Sequence, residues 1–345
     1  MEHRSILEQR VERHMAAFMH SCIMQGMLKS APNATHGPCS VGIDIGATKV
    51  NIGIVDSRGV IVAKTRISTR KDLETRPFIG DIAQAVNRLL GENGFALDDI
   101  GFLGAGVPGT VDSATGHVEY CPNLSWKDVP AGRYFKEHLG REVRIVQDCR
   151  AAALAELLYG AARGRSNILC VTLGTGVGGG VIVDRKIFHG SMNTAGEIGH
   201  CIVVKNGRLC SCGSRGCLER YFSGSGIIEQ AVERFPGKFT DDNRNTEHVF
   251  ELAKNGDSEA RELIRESLEY LALGIANFVS IFSPQMIVIS GGMCEHKELI
   301  VDPLKALVPR FGYVSWVKKN ALRIEKALLG SDAPMIGAAS LRLGE

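Results

Sequence analysis

Twice in this chain an apolar, β-branched run stops at a glycine turn and a second strand-like run follows at once. Residues 41–45, Gly46 and residues 49–55 do so in the first half, and residues 168–173, Gly174-Thr175-Gly176 and residues 180–183 do so in the second. A scheme that restarts in this way predicts a diverged duplication of an α/β unit, each copy offering a tight turn between two strands. Successive backbone N–H groups in such turns form concavities suited to phosphate. The remaining periodicity fits that plan. A third strand is expected over 60–67, a helix over 77–90, strands over 101–107 and 143–146, and an Ala/Leu-rich helix over 149–162. In the second half, residues 224–283 read as mainly helical, with an unbroken stretch at 258–282. A buried strand at 286–289, Ser290-Gly291-Gly292 and a small-residue helix at 333–343 follow. At 345 residues the chain exceeds the size at which one core keeps growing, so two lobes are expected, 40–148 and 149–332.

The run Cys210-Ser211-Cys212-Gly213-Ser214-Arg215-Gly216-Cys217, with His200 ahead of it, supplies three thiolates and an imidazole. Such a donor set makes a closed tetrahedral site, for which Zn²⁺ is the natural occupant. Four protein ligands leave no position for water, so the ion is expected to hold loops and do no chemistry. The other seven of the ten cysteines lie in apolar or motif contexts, where a free thiol behaves as a small hydrophobe, and the pattern reads as a protein of a reducing compartment.

A net charge of +2 gives no electrostatic footprint for nucleic acid. No apolar run is long enough to span a bilayer and no signal-peptide core is present, so a cytoplasmic location and no membrane partner are expected. Ahead of the first strand, residues 1–30 carry Leu7, Val11, Met15, Phe18 and Cys22 at helical spacing, and residues 30–39 read as a linker. This amphipathic helix suits packing on the body or on a second subunit; Glu2, Glu8 and Glu12 weaken a targeting role.

Neither glycine turn has the GxxxxGK[ST] spacing of a P-loop. The second sits between two strands and not before a helix, which disfavours a dinucleotide fold. Asp148 ends the run 143–146 and opens a helix, a position that fits both a helix N-cap and a catalytic carboxylate at the mouth of a sheet.

His200 with CxCGxxGCxE ending at Glu219, Asp44-Ile45-Gly46-Ala47-Thr48-Lys49, the glycine run 174–180 and Ser290-Gly291-Gly292 together resemble the ROK family of sugar kinases and sugar-responsive repressors, over residues 41–345. The resemblance implies a two-lobed actin-like ATPase fold, a ribonuclease H-like duplication with a zinc-stapled loop in the second lobe, whose last helix, 333–345, returns to the first. It implies that Mg²⁺-ATP meets Asp44, Gly46, Thr48 and Lys49 from one lobe and Thr175 and Gly176 from the other, with Gly291 and Gly292 on the nucleotide side. Asp148 would be the general base. Asn123, Gln147, Glu197, His200 and Glu219 would bind the sugar, with the zinc ion fixing the loops of Glu197 and Glu219. The family commonly has Asn before the catalytic Asp and two residues after it; this chain has Gln147 and Arg150, which leaves the sugar open. Arg150 is expected to be solvated on its helix face, the alternative being a role with an anionic group of the substrate.

The activity so implied is phosphorylation of a hexose, glucose at the 6-hydroxyl above all, by a homodimer or homotetramer. An N-acetylmannosamine, N-acetylglucosamine or other hexosamine kinase is the nearest alternative, and a sugar-binding regulator without kinase activity is the alternative of another class. Regulators of the family carry a DNA-binding domain in front, for which the forty residues before Val41 leave little room. Gln147 and Arg150 also keep open an interaction protein that has lost turnover.

Overall fold

Strands β1 (Cys39–Ile45) and β2 (Lys49–Asp56) form an antiparallel hairpin closed at Gly46, whose N–H donates to the Lys49 carbonyl. Ile43, Ile45, Val50, Ile52 and Ile54 are fully buried along it, which is why these runs fold as central strands. The computed structural model to which they belong describes residues 37–313 and 322–344. The helix expected over 1–30 lies outside these residues, as does most of the linker; Cys39, counted with the linker, is already paired in β1.

The two five-stranded sheets repeat each other. The first runs β3-β2-β1-β4-β8, with β3 (Ile61–Ser68), β4 (Ile100–Val107) and β8 (Arg144–Gln147). The second runs β11-β10-β9-β12-β13, with β9 (Ile168–Leu173), β10 (Val177–Val183), β11 (Lys186–Ile187), β12 (Met286–Ser290) and β13 (Arg323–Lys326). In each sheet the hairpin strands are antiparallel and the last three strands parallel. Helix α1 (Thr75–Glu92) covers the first sheet through Phe78, Ile82 and Val86. The second sheet is covered by helices that include the long Ser258–Phe282, as its unbroken apolar stripe requires.

The structure departs from the sequence reading at several elements. A small antiparallel sheet of β5 (Thr110–Asp112), β6 (His117–Cys121) and β7 (Trp126–Val129) occupies a stretch to which no elements were assigned. Its strands are short and half exposed, so they leave little apolar signature. Strand β10 begins at Val177, three residues before the expected start at 180, so Gly178 and Gly179 also belong to the strand. A Cβ on Gly178 would overlap the Cys149 thiol, and one on Gly180 would press on Ala153 and the Cys149 carbonyl. The helix that starts at Asp148 stops at Leu158, short of 162. The reason is Glu156, fully buried, whose carboxylate accepts from the N–H groups of Ala161 (2.8 Å), Leu328 (3.1 Å) and Leu329 (2.8 Å) and so captures the chain beyond the helix.

The C-terminal small-residue helix, Ala333–Ala339, lies between the first sheet and the helix Asp148–Leu158. It approaches both at backbone distance: a Cβ on Gly42 of β1 would overlap the Met335 carbonyl, one on Gly104 of β4 the Ala338 carbonyl, and one on Gly337 the Ala151 carbonyl. Helix propensity alone makes Gly337→Ala stabilising by up to ~1 kcal/mol. Because the new methyl strikes backbone, we expect the opposite, a loss of about 1–3 kcal/mol and a melting temperature lower by several degrees. Calorimetry of the variant checks this, and an unchanged or raised midpoint contradicts the packing described.

Candidate functional site

The parallel strands β1, β4 and β8 end side by side, because Asp44 pairs with Gly106 and Val107 with Gln147. That register brings Asp44 and Asp148, which are far apart in sequence, to one edge of one sheet, the carboxyl edge where α/β proteins place their ligands. Gly106 permits the approach, since its Cβ position lies 3.3 Å from the Asp148 Cα. Asp44 is partly buried, and its Oδ2 accepts from Asn51 Nδ2 (2.9 Å), while Asn51 Oδ1 accepts from Arg66 Nε (2.9 Å). Burial raises the Asp44 carboxyl to about 6; the Asn51 hydrogen bond opposes the rise, and the nearby Asp148 charge adds to it. Burial likewise raises Asp148, against the hydrogen bond its Oδ1 accepts from the Cys149 N–H (2.7 Å). Asn51 was not singled out from the sequence. Its signal is a polar side chain, 7% exposed, inside an otherwise apolar strand and opposite Asp44 in the hairpin register.

From the second half, Glu197 reaches the same place. Gln147 Nε2 donates to Glu197 Oε1 at 2.7 Å, and Glu197 lies in the fields of His200, Arg150 and Asp148. Burial raises the Glu197 carboxyl; His200, Gln147 and Arg150 oppose the rise. Gln147, Asp148, Glu197 and His200 are thus brought together. Asn123 sits exposed in the short turn Pro122–Leu124 of the small sheet, and the buried Cys121 beside it lies in the field of Asp148. Glu219 engages a different partner: its Oε2 accepts from the Val177 N–H (2.9 Å), at the end of the turn that holds Thr175 and Gly176.

That turn is held from several sides. Gly174 N–H donates to the Gly176 carbonyl, and the Gly174 and Thr175 carbonyls accept from Gly224 and Ser225 at the start of the helix Gly224–Arg234. Thr48 and Lys49 are exposed at the opposite hairpin, where Thr69 Oγ1 donates to the Gly46 carbonyl (2.7 Å). Gly291, with φ of +91°, follows β12 and packs against the backbone of Leu173, and Gly292 is exposed beside it.

Arg150 corrects the sequence reading. It is 1% exposed, and its Nη2 donates to the carbonyls of Asn193 (2.7 Å) and Ala195 (3.0 Å). The helix face that was expected to be solvated is covered by the loop leading to Glu197.

His200, Cys210, Cys212 and Cys217 converge, their ligand atoms all within 4.8 Å of one another. Cys210 Sγ is 3.8 Å from His200 Nδ1, and Cys212 Sγ is 3.6 Å from Cys217 Sγ. Bonds of ~2.3 Å to a tetrahedral ion give edges of about 3.8 Å, so the four donors fit such an ion. Among the described residues no helix is long and apolar enough to cross a membrane.

Residues 40–345 match the ROK family. A glucokinase of Streptomyces coelicolor is 31% identical over 318 residues, which span 88% of this chain and 96% of that protein. A ROK family glucokinase of Streptomyces griseus, solved in complex with glucose and AMPPNP, has a TM-score of 0.75 at 31% identity and covers 88% of this chain and 98% of its own. A xylose repressor of Caldicellulosiruptor bescii is 27% identical over 317 residues, 88% of this chain and 78% of the repressor. With its α/β architecture of mixed sheets, the chain belongs to the ROK family, within the actin-like ATPase superfamily.

Proposed function

We propose that this protein is an ATP-dependent sugar kinase that phosphorylates a hexose, with glucose at the 6-hydroxyl as the leading substrate. The observation that carries the reading is Asp148: a partly buried carboxylate at the carboxyl edge of the first sheet, with Asp44 and the Gln147–Glu197 pair near it. Asp148 takes the proton of the attacking hydroxyl as its oxygen bonds to the γ-phosphorus of ATP and ADP departs. Phosphoryl transfer asks chiefly for positioning and charge neutralisation, so one well-placed base is enough apparatus. Asp44, Gly46, Thr48 and Lys49 face the phosphates from one glycine turn, Thr175 and Gly176 from the other, and Gly291 and Gly292 border the nucleotide. Mg²⁺ supplies charge neutralisation on the phosphates when bound, and Asp44 is the carboxylate suited to hold it. Gln147, Glu197, His200 and Asn123 meet the sugar hydroxyls. Similarity to a glucokinase at 31% identity over nearly its whole length supports a kinase over a regulator.

A second reading, an N-acylhexosamine kinase, rests on Gln147. Its amide nitrogen is committed to Glu197, while its Oε1 is buried with no partner, an acceptor that suits a donor N–H or O–H on the sugar. An ADP-release assay on glucose, glucosamine, N-acetylglucosamine and N-acetylmannosamine separates the two. We expect the highest kcat/KM on glucose; a preference of more than about tenfold for an N-acyl sugar supports the second reading, and no turnover on any hexose or hexosamine contradicts both.

We assign the His200, Cys210, Cys212 and Cys217 cluster to one structural zinc ion per chain. Through the short turns Ile198–His200 and Leu218–Arg220 it would tie Glu197 and Glu219 to one anchor. Cys217→Ser is expected to release the metal, raise the sugar KM and lower the melting temperature together, because binding and local folding are coupled. Elemental analysis of protein purified without chelator checks this; a metal-free wild type contradicts it.

Asp148→Asn keeps the shape of the side chain but cannot take the proton. It is expected to bind sugar nearly as well as wild type, by calorimetry, and to lose about 10²- to 10⁴-fold in kcat. A variant with half the wild-type rate contradicts the assignment.

A further inference from the structure

We infer that Arg150 is a positioning residue for sugar binding, anchoring the backbone of residues 193–195 so that Glu197 is held beside Gln147 and Asp148. The inference rests on the reading of Gln147, Asp148 and Glu197 as the sugar site.

Arg150 stands two residues after Asp148 on the same helix, Asp148–Leu158, and is among the largest fully buried side chains of the described residues. A buried guanidinium is costly to keep unless its donors are used and its charge is answered. One loop meets that demand in part, through one nitrogen and one opposite charge. Nη2 donates to the carbonyls of Asn193 and Ala195, and the answering charge is Glu197, two residues beyond Ala195. Asn193 adopts the left-handed region at φ +53°, which Asn tolerates better than most residues, and the carbonyls of residues 193 and 195 on either side of Thr194 both meet Arg150. Its side-chain Nδ2 lies 3.5 Å from Asp112 Oδ1 in the small sheet of the first half. Gly196, at φ +90°, then redirects the chain into Glu197.

The consequence is geometric. Asp148 and Arg150 ride on one helix, so Arg150 references the loop that delivers Glu197 to the catalytic carboxylate. Arg150 Nε and Nη1 remain buried without a protein partner, as does Gln147 Oε1, so the guanidinium is not saturated by the loop. Glu197 in turn is gripped from the first sheet by Gln147 (2.7 Å). Arg150 and Gln147 therefore hold one segment at two points, the first through backbone carbonyls and the second through the carboxylate.

A double-mutant cycle tests this, with glucose as the probe and the sugar KM, kcat, ATP KM and zinc content as readouts. Arg150→Met keeps the length and removes the donors; it is expected to raise the glucose KM by about tenfold, with kcat within about threefold and ATP KM unchanged. Arg150→Lys, which can still reach a carbonyl, should lie between. In a Glu197→Gln background, Arg150→Met should add less than about threefold to KM, because the residue it positions is already impaired. Full additivity overturns the inference while leaving the sugar site intact. An unchanged glucose KM in Glu197→Gln alone instead overturns the sugar-site reading. If Arg150→Met fails to fold by thermal melting, the same cycle is run with Arg150→Lys and judged by the same criterion of non-additivity.

Discussion

The C-terminal helix Ala333–Ala339 touches the first sheet and the Asp148 helix at backbone distance, and the geometry of the site depends on that contact. Gly42 and Gly104 clear the sheet side, and Gly337 clears the helix side. With backbone against backbone at these glycines, the three elements have little room to slide, since close-packed interiors transmit displacement and do not absorb it. The start of the helix, and with it Asp148, is thereby set against the ends of β1, β4 and β8. Glu156 secures the other end of the same helix by gathering the N–H groups of Ala161, Leu328 and Leu329, so the segment leading into the C-terminal helix is tied to the helix it packs against.

That scaffold lets three carboxylates share a small, partly buried region, an arrangement which unaided would favour protonation. Each has been given a donor: Asn51 for Asp44, the Cys149 N–H for Asp148, Gln147 for Glu197. The donors do not cancel the cost of burial, and all three groups remain raised. For Asp44, at about 6, a proton is taken up at a higher pH than by an ordinary carboxylate as the solution is acidified. For Asp148 the same direction suits the general-base role proposed for it, because a base works best when its pKa approaches the working pH. Lys49, at the start of β2, pulls Asp44 the other way, as a bound cation would.

Much of this was legible in the sequence. The strand, turn and strand restarted at mid-chain marked the two hairpins, and helix Ser258–Phe282 was read to its ends because its apolar stripe is continuous. The cysteine and histidine spacing identified the four donors that converge. What was not legible depends on contacts between distant segments. The small sheet of residues 110–129 is too short and too exposed to carry a period. Gly178 and Gly179 carry no strand signature by composition, yet lie in β10, as glycines because Cys149 and Gly196 leave no room for a side chain. Arg150 read as a surface residue by type; only the Asn193 and Ala195 carbonyls, more than forty residues away, explain its burial. Asn51 could have been found, as the polar break in an apolar strand.

The central claim is that Asp148 meets the hydroxyl that is phosphorylated. A crystal structure of the protein with glucose and a non-hydrolysable ATP analogue tests it most directly. The account predicts the sugar 6-hydroxyl within about 3 Å of an Asp148 carboxylate oxygen and in line with the γ-phosphorus, with Glu197 on other hydroxyls of the same ring. A sugar seated elsewhere, with Asp148 bonded only to the Cys149 N–H and another side chain on the reacting hydroxyl, would contradict it.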